Sequence, residues 1–212
     1  MKFVDYRRFP GDVFWGDYFQ RNDFLPSKGW TVVDVGATCG DWSIIVGKFF
    51  EADKVLAIEP SPIPFSLLLK NTRLNNLTNV IIPIKACLWD SDTQISLHST
   101  PSSFLSVQSS GSELRVKARK LDSLIEETCL NNLDLLKIDT EGSELRVLYG
   151  GISAIRRFRP KIIIEVHSSE LREKVVGLLL SEGYQVVHEK VNSNYPFVSV
   201  LYFLHSDETR NK

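Results

Sequence analysis

Short runs of branched apolar residues recur along this chain, and each closes on an acid, a glycine or a histidine. The clearest are Val32-Val33-Asp34-Val35-Gly36, Val55-Leu56-Ala57-Ile58-Glu59, Leu135-Leu136-Lys137-Ile138-Asp139 and Ile162-Ile163-Ile164-Glu165-Val166-His167. Runs of this length and β-branched content read as buried strands. Between them the apolar spacing shifts to the helical period. Trp42, Ile45, Val46 and Phe49 share one face after the first run, and Phe65, Leu68 and Leu69 share another in a helix over residues 65–75 that follows a turn at 60–64. Residues 142–150 place Leu145, Leu148 and Tyr149 inward, and Leu171, Val175, Leu178 and Leu179 mark a helix that Gly183 stops. Leu121, Leu124 and Ile125 begin a shorter one.

A third strand is expected over residues 80–87, with Pro83 marking an irregular or edge-like section. Two more, over 184–189 and 198–204, are joined by the turn-rich Asn192-Ser193-Asn194-Tyr195-Pro196 and must run antiparallel, because so short a link cannot cross over. The alternation predicts an α/β fold: a doubly wound, mostly parallel seven-stranded sheet with helices on both faces and one antiparallel strand near the C-terminus. Residues 89–120 break the pattern. Gln94-Ile95-Ser96-Leu97-His98 and Leu114-Arg115-Val116-Lys117-Ala118 alternate polar and apolar around a serine-rich stretch, which predicts a small β-hairpin insertion with a mobile loop over 99–112.

The expected organisation is an aromatic-rich cover over residues 1–30 with a short helix near 13–21, one Rossmann-like domain over 31–205, and a polar tail over 206–212. With 212 residues and 43% hydrophobic content the chain can bury a full core. A net charge of -1 gives no general attraction to nucleic acid or acidic membranes, and Arg156, Arg157, Arg159 and Lys161 read as a solvated face. Cys39, Cys87 and Cys129 form no CxxC pair and read as reduced thiols. The N-terminus, with Lys2, Asp5, Arg7 and Arg8 among aromatics, does not read as a signal peptide, and no apolar run suits a bilayer span. A cytoplasmic protein that acts on a small molecule, without membrane or nucleic-acid partners, is the expectation; the oligomeric state is not legible.

In such sheets ligands bind beyond the carboxyl ends of the strands. Those ends carry Asp34 with Gly36, Glu59, Cys87-Leu88, Asp139-Thr140-Glu141 and His167. Gly36 and Gly40 bracket a strand-to-helix turn, and Glu59 follows Asp34 by 25 positions, where a carboxylate can take both ribose hydroxyls of an adenosine. The turn lacks the GxGxxG of a pyrophosphate cradle, and no GK[ST] follows it. A ribose-binding acid without a phosphate loop suits a phosphate-free nucleoside cofactor, and S-adenosylmethionine is one. A nicotinamide-dependent oxidoreductase is the rival that the missing glycines disfavour. A second rival is a non-catalytic module keeping the pocket as a relic or scaffold.

The residues also carry a resemblance. Val33-Asp34-Val35-Gly36-Ala37 with Gly40, Ile58-Glu59-Pro60-Ser61, Leu121-Asp122-Ser123-Leu124, Leu136-Lys137-Ile138-Asp139-Thr140-Glu141-Gly142-Ser143-Glu144 and Pro160-Lys161-Ile162-Ile163-Ile164-Glu165 resemble the FkbM family of S-adenosylmethionine-dependent methyltransferases. The match runs from about Thr31 to His167 and departs at Thr38-Cys39, where the family more often has Asn and an aliphatic residue. The resemblance implies methyl transfer, often to a hydroxyl oxygen. It implies that Asp34, Gly36, Ala37 and Gly40 shape the methionine side of the pocket, that Glu59 and Pro60 flank the ribose, that Cys87 and Leu88 lie by the adenine, and that Asp139 faces the sulfonium end.

A hydroxyl acceptor needs a proton acceptor, and the expected catalytic set is His167 as general base with Asp139 or Glu141 orienting it. If the fourth and fifth strands run in matching register, Lys137 meets Glu165 and Asp139 approaches His167. Glu144 reads as a first-turn acid complementing a helix dipole. Asp139, Glu141 and His167 are of metal-ligand type, but their spacing demands no metal and none is expected. The loops over 99–112 and around Asn192, Asn194 and Tyr195 are expected to select the acceptor, a small molecule or glycan. Methylation of RNA or protein is the narrower alternative.

Overall fold

The computed structural model describes residue 2, residues 17–98 and residues 113–209. The opening run forms β1 (Thr31–Val35), buried along its whole length. The chain continues through α1 (Asp41–Phe49), β2 (Lys54–Ile58), α2 (Pro62–Leu74) and β3 (Ile81–Ile84). Then come β4 (Cys87–Leu88), β5 (Thr93–His98), β6 (Glu113–Arg119), α3 (Leu121–Glu127), β7 (Leu135–Ile138), α4 (Glu144–Gly150) and α5 (Ile152–Phe158). The remainder is β8 (Lys161–Val166), α6 (Ser169–Ser181), β9 (Tyr184–Val191), β10 (Ser199–His205) and the short α7 (Ser206–Thr209).

Seven strands form one sheet in the order β3-β2-β1-β7-β8-β10-β9. The pairs from β3 across to β8 are parallel, and β10 runs antiparallel to both β8 and β9. The apolar runs thus build the doubly wound sheet expected of them. Alternate residues of each strand enter opposite layers. Val33, Val35, Leu136, Ile138, Ile162 and Ile164 pack with residues of α3 to α6, while Val32, Leu135 and Ile163 pack with α1, α2, Tyr18 and Phe24. Leaving β1, the chain builds outward through β2 and β3; it then returns to lay β7 on the other side of β1. The reversal falls between β1 and β7, which is where a doubly wound sheet opens a ligand crevice.

Several local expectations change. The strand expected over 80–87 splits: β3 lies at the edge of the large sheet, and β4 joins a separate three-stranded sheet, β4-β6-β5. Pro83 sits opposite Ala57 on that edge, where a missing N–H is tolerated. The insertion is therefore a three-stranded sheet rather than a hairpin alone, and the loop expected over 99–112 lies outside the described residues. α2 starts at Pro62, with proline in its first turn, so the turn expected at 60–64 is shorter. α5 is not legible in the sequence as a separate helix. Tyr149, expected inward, is 50% exposed, and Phe49, placed on one face with Trp42, Ile45 and Val46, is 61% exposed, while Ile44 and Val147 are buried. Of the helix expected near 13–21, residues 13–16 lie outside the described residues and 17–20 form turns and bends. Among the described residues no helix is long and apolar enough to cross a membrane.

Candidate active site

The turn after β1 is held by the sheet on both sides. Gly36 and Ala37 both donate their N–H to Ile58 O at 3.0 Å, and Asp139 N donates to Val35 O at 3.0 Å. Gly36 has φ +79, and a Cβ there would stand 1.7 Å from the Asp139 carbonyl oxygen. Its missing side chain thus serves the close approach of two strand ends as well as any ligand. Gly40, φ +84, precedes α1 and packs on Leu68. Thr38 has φ +50, in the left-handed region where Asn is tolerated better than a β-branched residue.

Beyond these strand ends lies a cavity of about 720 Å³ including its open mouth. Gly36, Glu59, Pro60, Cys87, Leu88, Asp139 and Glu141, all candidates from the sequence, line it, together with Thr38, Ser61, Pro64 and Thr140. Asp34, Ala37 and Gly40 are not in its wall; they are buried behind it. Glu59 is 6% exposed, accepting from Thr38 N at 3.0 Å and from Ser61 N at 2.8 Å. Each carboxylate oxygen therefore keeps lone-pair capacity for a further donor. Burial raises the Glu59 pKa, against the pull of the Ser61 hydroxyl and the Ser61 and Thr38 amides.

A smaller cavity adjoins it, sharing Gly36, Thr38 and Asp139 and adding Tyr18, Asp41, Trp42, Ile45 and Lys137. Lys137 is 3% exposed. It does not meet Glu165 as expected. The register sets Lys137 beside Asp34 on one side and Ile163 on the other, so its Nζ lies 3.2 Å from Asp34 Oδ1, 3.7 Å from Asp139 Oδ2 and 3.3 Å from Gly36 O. Burial opposes the charge on Lys137, but Asp34, Asp139 and Asp41 outweigh it and raise its pKa. Asp34 also takes the Ser43 hydroxyl at 2.5 Å. Its work is to hold the buried ammonium and the start of α1. Burial raises Asp41 to about 6, with Asp34 adding and Lys137 opposing.

Tyr18 is a site residue that sequence reasoning misses; the only signal is the aromatic density of its segment. Its hydroxyl meets Asp139 Oδ2 at 3.0 Å and Glu165 Oε2 in a shorter contact, and its ring lies under the Lys137 ammonium at 5.2 Å. The β7–β8 register explains the pairing. Leu135 stands opposite Lys161, so Asp139 extends toward Glu165 and His167 lies two positions further on.

His167 stands among four carboxylates. Nε2 is 3.5 Å from Glu141 Oε2, 3.6 Å from Glu165 Oε1 and 3.9 Å from Asp139 Oδ1, and Nδ1 is 3.3 Å from Glu144 Oε1. Burial would lower its pKa, but the contact with Glu144 and the charges of Asp139, Glu144 and Glu141 raise it to about 10. The surrounding carboxylates thus favour the protonated ring, which speaks against the base role expected of it. Glu144 is fully buried and accepts the amides of Thr140 and Gly142 at 3.2 and 3.0 Å. It clasps the turn at the end of β7, where Glu141 has φ +55 and Gly142 φ +107. That is more than the helix-dipole complement expected of it.

The model of the FkbM methyltransferase domain matches residues 34–186. The chain belongs to the FkbM methyltransferase family. The matched span opens on Asp34 and contains every site residue named from the sequence, but not Tyr18. Among relatives, methyltransferase sdnD of Sordaria araneosa is 25% identical over 78% of this chain and 77% of that protein. The hexuronic acid methyltransferase AglP of Haloferax volcanii is 28% identical over 78% of this chain and 67% of that one. In fold, the chain is similar to the crystal structure of methyltransferase FkbM from Methylobacillus flagellatus, with a TM-score of 0.70 and 23% identity over 89% of this chain. It spans about half, 47%, of that longer protein.

Proposed function

We propose that the chain transfers the methyl group of S-adenosylmethionine to a hydroxyl oxygen of a sugar or another small molecule. The observation that carries this reading is one hollow holding Glu59 at one end and Asp139 at the other, with the Gly36–Thr38 turn between them. Glu59 accepts the ribose hydroxyls, and Cys87 and Leu88 give the adenine an apolar wall. The adjoining small cavity offers Asp41 and Lys137, opposite charges that suit the amino-acid end of the cofactor, with Asp139 beside its ammonium. A sulfonium needs little covalent help from the protein. The site has to align oxygen, methyl carbon and sulfur and keep water out. The O–C bond forms as the C–S bond breaks, the sulfur leaves as the thioether of S-adenosylhomocysteine, and the hydroxyl proton passes to the carboxylates gathered around His167. The relative named for hexuronic acid favours a sugar acceptor, and the chain's charge of -1 gives no support to RNA.

The test is incubation with methyl-labelled S-adenosylmethionine and a panel of hexuronic acids, neutral sugars, RNA and protein. Label on a sugar hydroxyl is the expected result. Label on RNA or protein, or turnover with a nicotinamide cofactor in its place, would overturn the reading.

A further inference from the structure

We infer that Asp139, Glu141 and His167 form a binding site for a divalent first-row cation at the carboxyl ends of β7 and β8, with Glu165 as a further ligand. One ligand atom from each of the first three lies within 4.8 Å of the others. The distances from His167 Nε2 to the oxygens of Glu141, Glu165 and Asp139 are 3.5, 3.6 and 3.9 Å. These are too long for hydrogen bonds, which close at about 2.7–3.2 Å. Ligands bonded to one ion at about 2.0–2.2 Å stand roughly 3.0–3.5 Å apart, so a small contraction seats the ion.

Two independent observations point the same way. Glu165 is 7% exposed, and its Oε1 takes no hydrogen bond from any described residue while facing Nε2. Around the same turn, Thr140 Oγ1 is also buried without a hydrogen-bond partner, an unmet polar atom of the kind an ion's water explains. The outer arrangement is also that of a metal-bound histidine. Glu144, fully buried, stands 3.3 Å from Nδ1, where it can take that N–H and leave Nε2 for the ion. Lys137 also pairs with Asp139, at 3.7 Å, but lies nearer Asp34, at 3.2 Å, so one ammonium serves two carboxylates. One imidazole with two or three carboxylates suits Mn²⁺ or a similar ion.

The role of the ion rests on the methyl-transfer reading; its binding does not. Bound there, it holds the acceptor oxygen beside the sulfonium end and lowers the pKa of that hydroxyl; the carboxylates then serve as ligands, and the proton leaves to solvent water in their place. The methyl still moves from sulfur to oxygen and nothing is oxidised or reduced.

The experiment titrates the metal-free chain with Mn²⁺ alone and follows loss of the free-ion electron paramagnetic resonance signal. One site per chain is expected, weakened at least 10-fold in Glu141→Gln, whose side chain is half exposed and whose loss should leave the fold intact, and in His167→Gln. Glu144→Gln should weaken it about 10- to 100-fold by loosening the ring. Glu59→Gln should bind Mn²⁺ as the parent does, so that a failed cofactor reading is told apart from a failed metal site. No binding up to millimolar Mn²⁺, or binding that Glu141→Gln and His167→Gln leave unchanged, would overturn the proposal.

Discussion

Replacing Gly36 with alanine perturbs the turn in two separable ways. The residue has φ +79, and the new Cβ would lie 1.7 Å from Asp139 O and 2.9 Å from its carbonyl carbon. The backbone conformation alone costs a residue with a Cβ roughly 1–2 kcal/mol. The clash cannot be relieved by a side-chain rotation, because the atom met is backbone. β1 and β7 would have to part by more than an ångström, at the expense of the 3.0 Å bonds from Asp139 N to Val35 O and from Gly36 N to Ile58 O. Overpacking of this kind adds about 1–3 kcal/mol, so Gly36→Ala is expected to lose roughly 2–5 kcal/mol. Gly29 is the control: φ +90, but nothing lies within 4 Å of where its Cβ would stand, so Gly29→Ala carries the backbone cost alone. Urea unfolding of both variants, with calorimetry against S-adenosylhomocysteine, reads the difference. Gly36→Ala should be the less stable of the two and should lose cofactor affinity, since Asp139 moves with its backbone. Equal midpoints, or a Gly36→Ala protein that binds as tightly as the parent, would refute the reasoning.

Two further outcomes follow from the hydrogen bonds. Tyr18→Phe removes the donor shared by Asp139 and Glu165 in a buried setting, and is expected to cost about 1.5–3 kcal/mol in urea unfolding and to lower turnover; an unchanged midpoint would exclude Tyr18 as their anchor. Asp92 accepts from the Ser123 hydroxyl at 2.6 Å, from Lys120 N at 3.0 Å and from Arg119 at 2.9 Å; chiefly the Ser123 bond, with the Lys120 and Arg119 contacts, holds its pKa down to about 2 despite some desolvation. Because the folded value is depressed, its stabilisation is present above the ordinary aspartate pKa of about 3.9 and is lost as pH falls toward the folded value. The stability gap between the parent and Asp92→Asn should therefore hold at neutral pH and close in acid unfolding as pH 2 is approached. A gap that persists at pH 2 would count against it.

The large sheet is legible in the sequence because its strands are buried on both faces, so their apolar runs are nearly continuous and stand out against the helical period. That Gly36, Glu59 and Asp139 line one cavity is legible because a doubly wound sheet opens its crevice at strand ends. What fails depends on relations between elements. The partner of Lys137 is set by the β7–β8 register, which places Ile163 rather than Glu165 beside it and turns the ammonium toward Asp34. His167 reads as a free base because a sequence does not show that four carboxylates converge on one ring. Phe49 lies at a helix end and Tyr149 near one, where the periodic face runs out of neighbours. Cys87 and Leu88 continue the apolar run of β3 but pair with β6, a long-range choice invisible in local spacing. Tyr18 reaches the site from a segment whose aromatics follow no period and which lies outside the family match.

The central claim is that Glu59 grips the ribose of a phosphate-free nucleoside. Isothermal titration of the parent and of Glu59→Gln with S-adenosylhomocysteine tests it most directly. The substitution keeps the shape and an oxygen for one backbone amide but removes the charge. A charged hydrogen bond of about 1.5–3 kcal/mol corresponds to a roughly 10- to 150-fold loss of affinity. That loss, with the fold intact by circular dichroism, is the expected result; no heat from the parent, or equal affinity in the two proteins, would contradict the claim.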